Sequence, residues 1–190
     1  MTASAEDPQD PQDAAIRRVV VLGAECTGKT QLCAALSTAL PAQTFTEVLR
    51  AWVVREQRLP LRTDQADILA EQQRSELRAL QAARQAGQAW VVGDSGPLMT
   101  AVYSLYYFQD DRLLAPALEH QRQYAMTLVC ADDVPWVADP GQRDGLPVRT
   151  QVQALLVDVL QQFCPGSWAL VGGNVDARLQ QALRRLRALG

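Results

Sequence analysis

The stretch VVVLGAECTGKTQLCAALSTAL, residues 19–40, decides the architecture. Its first part belongs to an apolar run, RVVVL (18–22), that reads as a buried strand. From Lys29 to Leu40 the pattern is helical, and Pro41 stops it. Between the two lie Gly23, Gly28, Lys29 and Thr30 in the spacing G-x-x-x-x-G-K-T, a P-loop. The glycines let the backbone turn so that successive N–H groups face phosphate oxygens, and the helix start adds its positive dipole end. Lys29 is expected to bridge the β- and γ-phosphates of ATP, and Thr30 to place its hydroxyl on Mg²⁺. The nucleotide-binding set expected here is Gly23, Glu25, Cys26, Thr27, Gly28, Lys29, Thr30 and Gln31. Of 18 basic residues Lys29 alone is a lysine. Arginine's planar fork replaces a compact ammonium poorly in such a nest, so the isolation of this lysine supports the motif.

Outward from the motif the chain alternates short β-rich runs with helical ones. QTFT (43–46) precedes the helical EVLRAWVVREQ (47–57). A long helix is expected from Thr63 or Asp64 to about Ala86, with Ile68, Leu69, Leu77 and Leu80 towards the core and Gly87 as its stop. AWVVGD (89–94) and MTLVCA (126–131) read as strands, with helical stretches at 97–108 and around 111–122 between them. A Pro/Gly/Asp-rich segment, 132–147, leads to an amphipathic helix at 148–163. A last strand, WALVG (168–172), and an Arg-rich terminal helix (175–189) complete the pattern. Five strands separated by helices imply an α/β fold, a five-stranded parallel sheet with helices on both faces.

Composition bounds the function. With 190 residues, 48% hydrophobic and 21% charged, the chain is globular. A net charge of −3 argues against a duplex nucleic-acid footprint or an anionic membrane surface. No apolar run approaches a bilayer span, and the N-terminus is acidic where a signal peptide is basic. Cys26, Cys33, Cys130 and Cys164 form no C-x-x-C pair and read as reduced thiols of a cytoplasmic protein. His120 reads as a surface helix residue. Residues 1–14, with Glu6, Asp7, Asp10 and Asp13, read as a disordered acidic arm, leaving 15–190 as one domain.

A P-loop names a nucleoside triphosphate, not a reaction, and a carboxylate must complete the metal shell. Two strands end in aspartate, at Asp94 and Asp132. Asp94 is favoured, because ligands of open parallel sheets sit off the carboxyl ends of strands, where it meets the P-loop. Neither aspartate is followed by glutamate, which weakens a motor-type ATPase. The guanine-reading motif Asn-Lys-x-Asp needs a lysine the chain lacks.

GAECTGKT, the TEVLRAW segment, VVGDSGPLMTAVYSLYYF and DVPWVADPGQRD, in this order, resemble the nicotinamide riboside kinase domain of NadR-type proteins and its stand-alone P-loop relatives. The resemblance spans about residues 17–189. It implies a P-loop NTPase fold of the nucleoside/nucleotide-kinase type and ATP-dependent phosphorylation of a ribosyl hydroxyl on a small nucleoside.

Under that resemblance Glu47 binds the sugar hydroxyl and takes its proton, with Arg50 one turn on facing the same side; Asp94 is the alternative base. Residues 132–149 form a lid whose cationic fingers are Arg143 and Arg149. Trp52 and Tyr103 offer a stacking face, with Tyr106 and Tyr107 beside them, although aromatics at helical spacing are more often core. Asp67 reaches the acceptor pocket or, like Asp64, caps its helix. Gly173 and Asn174 follow the last strand, where backbone groups touch adenine. Arg50, Arg55 and Arg58 are the cations available should the acceptor carry a phosphate. Oligomeric state is not legible.

Overall fold

Val19 to Leu22 are fully buried, as four apolar residues without a polar alternate demand of a strand covered on both faces. In the computed structural model, which describes residues 16–136 and 145–189, they belong to β1 (Arg17–Leu22). The order continues α1 (Lys29–Ala39), β2 (Ala42–Phe45), α2 (Val48–Glu56), α3 (Gln65–Gln85) and β3 (Trp90–Asp94). Then follow α4 (Pro97–Phe108), α5 (Leu114–Gln121), β4 (Met126–Cys130), α6 (Leu146–Phe163), β5 (Trp168–Val171) and α7 (Val175–Arg187). A short 3-10 turn, Arg62–Asp64, leads into α3.

All strand pairs are parallel, in the order β2-β3-β1-β4-β5. Val20 and Leu22 point into the layer made by α3, α4, α5 and α6, while Val19 and Val21 point into that of α1 and α7. This alternation builds one core on each side of the sheet from four consecutive residues. At the β2 edge, Phe45 pairs with Gly93, where a Cβ would lie 2.0 Å from the Phe45 ring. Only glycine permits that approach.

The expected strands and helices are all present. Their limits shift slightly: α6 starts at Leu146, taking Pro147 into its first turn, and α5 is shorter than the expected 111–122. One core expectation fails. Leu77 is 56% exposed, and the buried residue beside it is Glu76, because the α3 stripe runs Ile68, Gln72, Glu76, Ala79 and Ala83. The four cysteines are free thiols, and no helix among the described residues is long and apolar enough to cross a membrane. The arm expected at 1–14 lies outside the described residues, as do residues 137–144 of the expected lid.

Candidate active site

β1 delivers its loop between the carboxyl ends of β3 and β4, the crevice where open parallel sheets bind ligands. Gly23 takes φ +147 and Gly28 φ +83, and a Cβ on Gly23 would meet Thr27 Oγ1 at 2.7 Å. Gly28 is the N-cap residue of α1, so Lys29 and Thr30 occupy its first turn. None of the backbone N–H groups from Cys26 to Thr30 donates to a described protein group. These unused donors at a helix N-terminus form an anion nest. Lys29 is 8% exposed and its Nζ donates to the Ala24 carbonyl at 3.0 Å, folded across the loop rather than out into solvent. Thr27 Oγ1 donates to the same carbonyl at 2.8 Å.

Buried polar side chains fasten the loop from behind. Gln153 on α6 accepts from the Ala24 N–H at 2.8 Å and donates to the Cys130 carbonyl at 2.9 Å, tying the loop to the end of β4. Arg178 on α7, 2% exposed, donates to the carbonyls of Thr27, Ala131 (3.0 Å) and Gly173 (2.8 Å) and to the Asp133 carboxylate. Asp133 also accepts from the Gly173 N–H at 2.5 Å; that bond, with Arg178, holds its carboxyl below the ordinary range. A single guanidinium thus joins three loops, as its five donors in a rigid fork allow.

Asp94, at the end of β3, is 6% exposed and accepts from Thr30 Oγ1 at 2.5 Å through Oδ2. Its Oδ1 is buried with no hydrogen-bond partner. An orphaned carboxylate oxygen beside a hydroxyl is a hard, all-oxygen donor set that suits Mg²⁺. Burial and the nearby Asp94 push the Cys33 thiol well up, and burial raises Cys130 to about 11, so both thiols beneath the loop stay neutral.

From the nest a cavity of about 910 Å³ runs between α2 and α4. Residues 25–31, including Glu25 and Gln31, line one end. Glu47, Arg50 and Gln65 supply polar groups at the other, among Leu49, Val53, Leu59, Pro60, Tyr103, Tyr107 and Phe108. Glu47 is the N-cap residue of α2, yet its side chain makes no capping bond. Tyr103 and Tyr107 stack with centroids 6.1 Å apart, giving that end of the cavity a ring-sized aromatic face. Arg55 is engaged by Glu71 and Glu56, and Arg58 by Asp64, which leaves Arg50 as the cation of this group on the cavity wall.

Several expected positions fall elsewhere. Trp52 does not line the cavity: it shares the buried face of α2 with Val48, packs with Ile68, and carries the Arg58 guanidinium over its ring at 4.8 Å. The cavity takes the other face, at Leu49, Arg50 and Val53. Asp67 is exposed, because Gln65 faces the cavity and two residues turn a helix to its far side. Gly173 and Asn174 are occupied by protein: Gly173 bonds Asp133 and Arg178, while Asn174 caps α7 by accepting from the Ala177 N–H at 2.9 Å. Gly23 sits behind the nest and shapes it rather than lining it.

Arg149 is no exposed finger. It is 2% exposed in the first turn of α6 and donates to the carbonyls of Asp132 and Val134 (2.9 Å), anchoring the chain that leaves β4. Arg143 lies outside the described residues. His120 is not a surface residue either: its Nε2 lies 2.8 Å from Glu76, in a buried network with Tyr124 and Arg18. Reading the sequence misses Gln72, Gln153, Arg178 and Asp133. The signal for the first three was a polar residue on the apolar stripe of a helix, as Arg178 stands in line with Ala182 and Leu186.

A parallel sheet in this order, with a phosphate nest on its central strand and a carboxylate on the neighbouring one, defines a P-loop NTPase fold of the nucleoside/nucleotide-kinase type. An AAA domain family model, AAA_28, matches residues 18–178, and the chain belongs to that family. No curated protein matches the sequence. Among solved structures, NadR in complex with NR superposes with a TM-score of 0.71 at 18% identity, covering 94% of this chain and 52% of that one. NadR in complex with NAD and AMP-PNP gives 0.72 at 18% identity, over 94% and 50%. Thymidylate kinase from Ehrlichia chaffeensis gives 0.68 at 11% identity, covering 91% of this chain and 99% of its own. The chain spans about half the length of the NadR structures, and at these identities the likeness is one of fold.

Proposed function

We propose that the chain is a cytoplasmic Mg·ATP-dependent kinase that phosphorylates a ribosyl hydroxyl of a small nucleoside, with nicotinamide riboside as the leading acceptor. One observation carries this reading: a single cavity connects the P-loop nest to a partly buried carboxylate, Glu47, and to an aromatic wall. Its volume is at the upper end of the ~300–1,000 Å³ of ordinary ligand sites, as two adjoining ligands require.

In this reading the N–H groups of residues 26–30 and the Lys29 ammonium bind the β- and γ-phosphates and meet the charge that spreads over the transferring group. Thr30 Oγ1 and Asp94 would hold Mg²⁺, which when bound neutralises phosphate charge. Asp94, already joined to Thr30, is committed to that corner, which leaves Glu47 to orient the acceptor hydroxyl and take its proton. Arg50 and Gln65 fix the acceptor's polar groups, while Tyr103 and Tyr107 stack on its ring and exclude water. Two ligands held along one channel give the in-line geometry that phosphoryl transfer rewards. The nicotinamide assignment rests on the resemblance of the GAECTGKT, TEVLRAW and VVGDSGPLMTAVYSLYYF segments, and on a shared fold with NadR solved in complex with NR.

The test is ADP release from Mg·ATP against nicotinamide riboside, common nucleosides, nucleoside monophosphates and water alone. Nucleoside-dependent release, strongest with nicotinamide riboside, is expected. Equal release with water alone makes the chain an ATPase, and tight ATP binding with no release under any condition makes it a nucleotide-binding regulatory module.

A further inference from the structure

We infer that Gln72 is a positioning residue that aims the Glu47 carboxylate at the acceptor, an inference that rests on the reading of Glu47 as the base. Gln72 lies on α3, 3% exposed, away from the cavity wall. Its side-chain oxygen accepts from the Val48 N–H at 2.9 Å, and its nitrogen donates to the Thr46 carbonyl at 3.2 Å. One carboxamide therefore holds both peptide groups that flank Glu47.

This arrangement answers a problem set by the position of Glu47. The first N–H groups of a helix lack partners inside it, and the side chain of the N-cap residue normally supplies one. Glu47 is the N-cap residue of α2, with φ −59 and ψ 118, and makes no such bond. Gln72 satisfies the Val48 N–H, the first of the helix, from another helix, while the Glu47 side chain makes no capping bond and lines the cavity. Because that carboxylate has no side-chain partner among the described residues, its direction is set by the backbone that Gln72 grips. Glutamine is the fitting side chain here, since the turn needs one donor and one acceptor in a single plane, which neither glutamate nor methionine offers.

The experiment compares Gln72→Met and Gln72→Glu with the wild-type chain, using the nucleoside that supports turnover best. Gln72→Met keeps bulk and loses both bonds. It should lower kcat by ~10–100-fold, the scale of a base displaced by about 1 Å, while binding of an ATP analogue stays within twofold. Gln72→Glu keeps the acceptor, loses the donor and sets a like charge beside Glu47. It should lower kcat while ATP-analogue binding stays within twofold, and the added charge should move the acid limb of the kcat/KM profile to higher pH. If Gln72→Met fails to fold, the fall in kcat at unchanged ATP-analogue binding in Gln72→Glu decides.

A kcat within twofold of wild type in the folded variants overturns the role of Gln72 and leaves the kinase reading standing. A parallel loss of ATP-analogue binding overturns it too, by showing general damage. A wild-type chain without nucleoside-dependent turnover overturns both readings.

Discussion

The two ends of the cavity are held by different physics. At the phosphate end Gln153 and Arg178, both buried, tie the loop to the ends of β4 and β5 through hydrogen bonds to main-chain groups. At the acceptor end apolar and aromatic side chains form the wall, and the ion pairs beside it, Arg55 with Glu71 and Arg58 with Asp64, are exposed. Buried, fully paired polar groups specify one geometry, whereas exposed pairs add little and yield to salt. The nest end is therefore the rigid reference and, in the kinase reading proposed above, the opposite end is where the acceptor could change without disturbing triphosphate binding.

The largest expected effect is that of Lys29→Ala. Removing the one ammonium of the nest should cut nucleoside-dependent ADP release by about 10³-fold with an unchanged circular dichroism spectrum. Turnover above a tenth of wild type would break the claim that the phosphate end carries the chemistry. Next in size, Arg178→Met strips a donor from three carbonyls and from Asp133. It should cost about 2–3 kcal/mol in urea unfolding and weaken nucleotide binding as the loop loses its backing. Wild-type stability in that variant would place the rigidity elsewhere.

An acid titration sharpens the comparison further, because α3 carries both the acceptor-side Gln65 and the buried Glu76. Burial alone would raise the Glu76 carboxyl, but hydrogen bonds from His120 and Tyr124, with the charges of His120 and Arg18, outweigh it and hold it below the ordinary value. A folded-state value below the unfolded one gives stability that is complete above the unfolded carboxyl range, near pH 4.3, and fades as pH falls through the folded value. Stability followed by urea midpoints should decline below about pH 4.3, and Glu76→Gln should be less stable at neutral pH with a flatter acid decline. An equally steep decline in the variant would remove Glu76 as its source. The smallest effect belongs to Arg55→Ala, whose partners are solvated: melting temperature and turnover should both match wild type. A loss in either would show that exposed pairs hold the acceptor wall after all.

What could be read from the sequence follows the range of the forces involved. The P-loop, the strand runs and the helix limits are local patterns, and the structure keeps them nearly residue for residue. Asp94 could be placed beside Thr30 because strand ends share one edge of the sheet. Rotational phase was harder. Trp52 and Arg50 sit two residues apart on α2, and which of them meets the cavity depends on where α3 packs, a fact no window of α2 contains. The same holds for Leu77 and Glu76, where burial went to the carboxylate because Arg18 of β1, His120 of α5 and Tyr124 of the loop after α5 converge on it. Gln72, Gln153 and Arg178 were visible only as polar interruptions of apolar stripes. Buried polar groups need partners, so such interruptions mark the turns that a fold must hold still.

The ammonium of Lys29 rests on a peptide oxygen of its own loop. Capture of a polyanion is then an exchange of partners and not the filling of a bare electrostatic hole. Anions too weak to displace that oxygen, chloride among them, are expected to leave the side chain where it lies, so discrimination against the commonest ions of the medium precedes any recognition of base or sugar.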